Sequence, residues 1–174
     1  MKELYYRRVS SFNQDRNATL LSHYLVVKDQ PETLKTHFFE GRFENVYIEI
    51  ACIKALEELM LQALEFASEI LATESALLKV GFWFNEMHRG DVTTAHTHDE
   101  DDELLSAVYY INVPDCSCDL ILGDVAKTNP IRITPDAGEF IFFLPSQLHS
   151  VDKHQSDQMR LSIGMNIGPL EKRA

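Results

Sequence analysis

Basic residues are scarce in this 174-residue chain: 16 Lys and Arg stand against 27 Asp and Glu, a formal charge of −11 and a pI near 5.0. A field of that sign repels phosphate backbones and anionic lipid, which argues against nucleic acid or membrane partners. Long apolar runs are missing too. Nowhere do 18 apolar residues follow one another, and "MKELYYRRVSSF" places no apolar core behind its charges as a signal peptide would. Cysteine is limited to Cys52, Cys116 and Cys118, an odd number at spacings that fit neither a disulfide framework nor a zinc site. Reduced thiols in a soluble, cytoplasmic protein are the expectation. Internal repeats and linkers rich in Gly, Pro or Ser are absent as well, so residues 1–174 read as one domain.

What is present suits that single domain. Apolar residues make up 45% and charged residues 25%, ordinary for a chain with one core. The character changes near residue 76. Before it, residues 1–75 read as a largely helical support layer. Ile53, Leu56, Met60, Leu64, Ala67 and Ile70 or Leu71 recur at steps of three and four, the spacing of one helix face, and predict a long amphipathic helix over residues 47–72. Its stripe suits packing on a sheet, and it is also the element through which a homodimer would form. Phe38, Phe39 and Phe43 are expected in a shorter helix or loop of the same layer.

From residue 76 to 170 the chain reads as strands punctuated by turns. "LLKVGFWFNEM", "LLSAVYYINVP", "CDLILGD", "IRITP", "GEFIFFLP", "LHSVDKH" and "MRLSIGMNI" are the candidates, with turns at Pro114-Asp115 and Asp136-Ala137-Gly138. Helices followed by a jelly-roll-like body make an α+β, mainly β, layout.

The stretch "TTAHTHDEDDELLSAVYYINVP" crowds two histidines and a run of acids at the mouth of a strand. Side chains at i and i+2 of a strand share a face, so His96 and His98 can close on one ion. With 7 histidines in the chain, chance supplies about 0.3 such pairs, so the pair alone is a weak signal. His149 is the best-placed third ligand, because it opens a strand after the buried "GEFIFFLP" segment and its turn; the bland alternative is a loop-capping histidine. Eleven residues on, Arg160 and Ser162 share a strand face. A guanidinium aimed inward needs a counter-charge, either an anionic ligand or one of the many acids of the chain. Tyr110 can offer its phenol to the same carboxylate.

Together these segments resemble the iron(II)- and 2-oxoglutarate-dependent oxygenases, and among them a microbial group with a "GD…HxH…SGvyYv" and "lFPswlxHxV…RisisfN" pattern. The corresponding stretches here are "GDVTTAHTHDEDDELLSAVYYINVP" and "FIFFLPSQLHSVDKHQSDQMRLSIGMNI", so the likeness spans roughly residues 80–168. The resemblance implies a double-stranded β-helix, a jelly-roll or cupin-like barrel with N-terminal helices packed on one sheet. It implies Fe(2+) held by His96, His98 and His149, and 2-oxoglutarate held through its far carboxylate by Arg160, Ser162 and Tyr110. With O2 as the third reactant, it implies hydroxylation of a small molecule or protein side chain with release of succinate and CO2. The family at large uses two histidines and a carboxylate, so a register with His98 and Glu100 in place of His96 stays open, and Asp99 stands where the microbial group has proline.

Two other readings compete. One is a cupin-like dioxygenase or isomerase that does not use 2-oxoglutarate, against which stand Arg160-x-Ser162 and the lack of a glycine-spaced glutamate after the histidine pair. The other is a non-catalytic metabolite-binding barrel. The remaining features read as structural: His23, His88 and His154 on the surface, Trp83 in the core with its N–H paired, Asn85 and Asn166 either facing the pocket or serving strand hydrogen bonds.

Overall fold

In a computed structural model, residues 3–98, 102–124 and 129–170 are described, and they form two antiparallel sheets with two helices on the outer face of the larger. The chain starts with β1 (Tyr5–Val9) and α1 (Gln14–Val27). A hairpin follows, β2 (Leu34–Phe39) and β3 (Arg42–Tyr47), then α2 (Ala55–Leu71) and β4 (Leu78–Met87). The rest is strand: β5 (Thr93–His96), β6 (Leu105–Asn112), β7 (Leu120–Leu122), β8 (Ile131–Ile133), β9 (Glu139–Phe143), β10 (His149–Val151) and β11 (Arg160–Pro169). The major sheet runs β1-β9-β6-β11-β4-β3-β2 and the minor sheet β5-β10-β7-β8. This is the mainly β, two-sheet layout expected from the strand pattern.

Period-two alternation in the central strands assigns the two faces of the major sheet. Leu105, Ala107 and Tyr109 of β6, Leu161, Ile163 and Met165 of β11, and Phe140 and Phe142 of β9 enter one apolar cluster beneath the helices. The residues between them, Val108 and Tyr110, Ser162 and Gly164, Ile141 and Phe143, face the minor sheet. One strand thus serves two environments.

The apolar stripe of α2 is buried against that sheet through Leu56, Met60 and Ala67. The helix starts at Ala55, later than the expected residue 47, because "NVYI" alternates and extends β3 instead; a 3-10 turn at Ile50–Cys52 makes the corner. It ends where Ala72 turns left-handed (φ 52°) and its N–H bonds Ser68 O. α1 is capped by the Asn13 side chain, which accepts from Arg16 N, and buries only Asn17, Leu20 and Tyr24.

The segment read as largely helical also supplies three strands, and Phe38, Phe39 and Phe43 lie in the β2–β3 hairpin rather than in a helix or loop. Phe39 pairs with Arg42, so Glu40 and Gly41 form a two-residue turn with both φ positive, at 46° and 89°. Such a turn matches the twist of the strands it joins, but Glu in the first position hides the usual Asn-Gly signature. Among the described residues no helix is long and apolar enough to cross a membrane, and the three cysteines are free.

Candidate metal centre

Pairing of the minor sheet builds the histidine cluster. His149 opens β10 and stands in register with His96, the last residue of β5, and with Leu122 of β7 on its other side. His98 lies just past β5, tied by its backbone N–H to Pro145 O at 2.9 Å, on the turn that leads into β10. The three side chains each offer a ligand atom, and these atoms lie within 4.8 Å of one another. Ring centroids are 4.2 Å apart for His96 and His149, 4.9 Å for His96 and His98, and 5.1 Å for His98 and His149. Glu100, the alternative ligand, and Asp99 lie outside the described residues.

Two of the imidazoles are held in the tautomer that ligation needs. His96 Nδ1 is 2.8 Å from Thr94 O and His149 Nδ1 is 3.0 Å from Gln147 O. A carbonyl only accepts, so Nδ1 carries the proton and Nε2 keeps its lone pair. Burial, with the neighbouring His96, pushes His149 down to about 3 and lowers His98 as well. Both are neutral at pH 7, ready to bind a cation without first losing a proton. Three protein nitrogens leave further coordination positions for other ligands.

The cluster opens on a cavity of about 410 Å³ that reaches Arg160, Tyr110 and Ser162 between the sheets. Arg160 is 1% exposed. Its Nη1 lies 2.8 Å from the Met87 thioether sulfur, its Cζ is 5.2 Å from the Tyr110 ring centre, and its Nε has no partner. Among the described residues no carboxylate pairs with it. The Tyr110 hydroxyl is buried and unpartnered too, and so are Ser106 Oγ and Asn85 Oδ1 on the same lining. Burial pushes the Tyr110 phenol up, with Arg160 opposing, so it remains a donor at neutral pH. A desolvated cation beside the unused Tyr110 hydroxyl costs several kcal/mol unless an anion joins it.

Of the expected site residues, His96, His98, His149, Arg160, Ser162 and Tyr110 all line this one cavity. The structure corrects the reading of others. Trp83 is half-buried and lines the cavity, its ring centre 5.7 Å from that of His98. It lies so close over β11 that a Cβ at Gly164 would meet its Cε2 at 2.6 Å. His154 is buried, not on the surface: its N–H bonds Asp91 O at 2.8 Å, its Nε2 donates to Gln158 O at 2.8 Å, and Cys118 Sγ lies 3.7 Å from its Nδ1. Asn166 bonds Glu103 instead of facing the cavity. Ser106 escaped notice, although it lies on the Val108–Tyr110 side of β6 and alternation could have found it.

No family model matches the chain, and no curated protein matches it. Solved structures do. A Pseudomonas putida prolyl-4-hydroxylase aligns over 95% of this chain and 92% of its own, at 17% identity and a TM-score of 0.74. An oxidoreductase of the 2OG-Fe(II) oxygenase family from Burkholderia pseudomallei aligns over 95% and 84%, at 12% identity and a TM-score of 0.69. The epimerase SnoN, in complex with Fe3+, alpha ketoglutarate and nogalamycin RO, aligns over 96% and 79%, at 14% identity and a TM-score of 0.72. At these identities the likeness is one of fold, and the chain has the double-stranded β-helix fold of 2OG-Fe(II) oxygenase structures.

Proposed function

We propose that the protein is an Fe(II)- and 2-oxoglutarate-dependent oxygenase that hydroxylates a C–H bond of its substrate. The observation that carries this reading is the buried guanidinium of Arg160, without a carboxylate partner among the described residues, in the same cavity as three clustered imidazoles. The fold shared with structures that hold Fe3+ and alpha ketoglutarate, or 2OG, supports it. When bound, iron and the 2-oxo acid supply reaction with O2 that yields succinate, CO2 and a hydroxylated product.

The residues of the chain bind and orient. His96, His98 and His149 fit a divalent cation, with the Nδ1 protons of His96 and His149 turned to backbone carbonyls. Arg160, with Tyr110 and Ser162, would take the far carboxylate of 2-oxoglutarate; a guanidinium can grip it with two charge-assisted bonds. Leu120 and Phe143 are apolar members of the same lining and pack in one buried cluster with Tyr110, and apolar surroundings strengthen each polar contact. A three-histidine dioxygenase or isomerase that does not use 2-oxoglutarate would leave Arg160 without a task.

Anaerobic titration tests the assignment. The protein is expected to bind Fe(II) and then 2-oxoglutarate; His149→Ala should lose the metal. Arg160→Ala should keep the metal and weaken 2-oxoglutarate by roughly 1.5–3 kcal/mol, the worth of a charge-assisted contact. Unchanged affinity in the arginine variant would remove the cosubstrate assignment.

A further inference from the structure

One residue of the β2–β3 hairpin is strained where the fold does not ask for it. His37 has φ 56° in the middle of β2. Left-handed backbone is costly for a residue with a Cβ, and it collects at sites where something other than packing selects it. At the tip of the same hairpin Glu40 and Gly41 need positive φ to reverse the chain. His37 reverses nothing: Thr36 pairs with Asn45 before it and Phe38 with Phe43 after it, in one unshifted register.

What the strain changes is the face. Residues directly opposite one another in an antiparallel pair share a face, so alternation would set His37 with Glu44, on the side where Val46 joins the cluster beneath the helices. Its ring lies instead among side chains of the other face. Nδ1 is 2.8 Å from Thr36 Oγ1 and 3.2 Å from Asn45 Nδ2, and the residue lines the cavity that also holds His96, His98 and His149. An amide nitrogen only donates, so Nδ1 of His37 accepts and Nε2 carries the hydrogen. This is the reverse of His96 and His149, whose Nδ1 atoms face backbone carbonyls; it is the tautomer of a donor, not of a metal ligand. Among the described residues nothing accepts from Nε2. Both bonds to Nδ1 are exposed to water, so they offset little of the strain.

We infer that His37 is a specificity-determining residue, which donates its Nε2–H to a neutral carbonyl oxygen of the substrate. This rests on the oxygenase reading only in calling the bound molecule a substrate. A neutral imidazole donates to any oxygen acceptor, and the formal charge of −11 selects against an anionic one. A group that can only donate finds no lone pair on this ring, since the one on Nδ1 is already engaged.

The test is nitrogen NMR of the imidazoles in the full-length, Zn(II)-loaded protein at pH 8, titrated with cyclohexanone, which only accepts hydrogen bonds, and with cyclohexylammonium, which only donates them. The Nε2 resonance of His37 is assigned by its loss in His37→Gln. Cyclohexanone is expected to shift that resonance and cyclohexylammonium to leave it in place. His37→Phe, which keeps a ring, should weaken cyclohexanone about fivefold, while His37→Gln, which keeps an N–H, holds most of the affinity; cyclohexylammonium should change by less than about twofold in both. A resonance that ignores the ketone, equal shifts with the two probes, or unchanged ketone affinity in His37→Phe would each overturn the assignment. A second measurement reads the strain. In denaturant unfolding His37→Gly should show a higher midpoint than His37→Ala, because only glycine adopts φ 56° freely; an equal or lower midpoint would reveal an unstrained backbone and overturn the assignment as well. Failures separate cleanly. A protein that binds 2-oxoglutarate but whose His37 ignores the ketone loses this inference alone. One whose His37 discriminates between the probes but which binds no 2-oxoglutarate loses the oxygenase reading and keeps the donor.

Discussion

The two faces of the major sheet are made by the same strands and could hardly differ more. Toward the helices, Phe84, Tyr109, Phe140 and Ile163 are fully buried, and the buried Tyr109 hydroxyl donates to Asn17 at 2.6 Å. Toward the minor sheet, the same strands leave Arg160 Nε, Tyr110 Oη, Ser106 Oγ and Asn85 Oδ1 without partners. Burial of unsatisfied polar groups is destabilising, so one face contributes the stability that the other gives up. Residues that break the rules of packing collect where a ligand would complete them.

The sharpest way to break this contrast is to damage the packed face. Phe84 packs on Tyr24 with ring centres 4.7 Å apart, and Phe84→Ala should cost about 3–5 kcal/mol in denaturant unfolding; a loss below 1 kcal/mol would mean that the helices do not seal this face. Next in size is a change of opposite sign. Arg160→Met removes a buried charge yet keeps the volume, so the ligand-free protein should gain about 1–4 kcal/mol in the same measurement. A less stable variant would show that the guanidinium is already satisfied.

Gly164→Ala probes the border between the faces. The added methyl would meet the Trp83 indole at 2.6 Å, so the ring must move; a cost of about 1–3 kcal/mol with a shifted Trp83 emission maximum is expected, and an unchanged spectrum would contradict the close packing. The smallest effect concerns the helix side. Burial tends to raise the Glu86 carboxyl, but bonds from Lys28, His88 and Tyr24 prevail and hold it below its ordinary 4.5. A lowered folded-state value means stability that is full above pH 4.5 and fades as pH falls through that lowered value. Chemical denaturation of the parent and Glu86→Gln should therefore differ by on the order of 1 kcal/mol at pH 7 and converge as pH falls below that lowered value; a gap that does not change with pH would exclude the ion pair as its source.

How much of this was legible depends on whether the signal was local. The seven strand candidates after residue 76 correspond to β4, β6, β7, β8, β9, β10 and β11, because each carries its own alternation or apolar run. β2 and β3 were not, since Glu40 occupies a left-handed turn position where Asn or Gly would have announced a hairpin. His154 was misread because nothing in "VDKHQSD" foretells that Gly90, Asp91 and Gln158 would close around it. Trp83 was misplaced for the complementary reason: a large aromatic in a strand suggests core, and only the lack of a side chain at Gly164 lets it lie across the neighbouring strand beside a cavity.

Periodicity and residue type, both carried within a few residues of chain, decided that this protein has a β body, a helix with one apolar face, two imidazoles two positions apart, and a guanidinium that shares a strand face with Ser162. The tertiary structure decided what those groups meet. His96 and His149 are 53 positions apart in the chain and become neighbours only through β5–β10 pairing, while the isolation of Arg160 is a property of everything packed around it. Alternation tells which way a side chain points; long-range strand pairing alone tells what stands opposite.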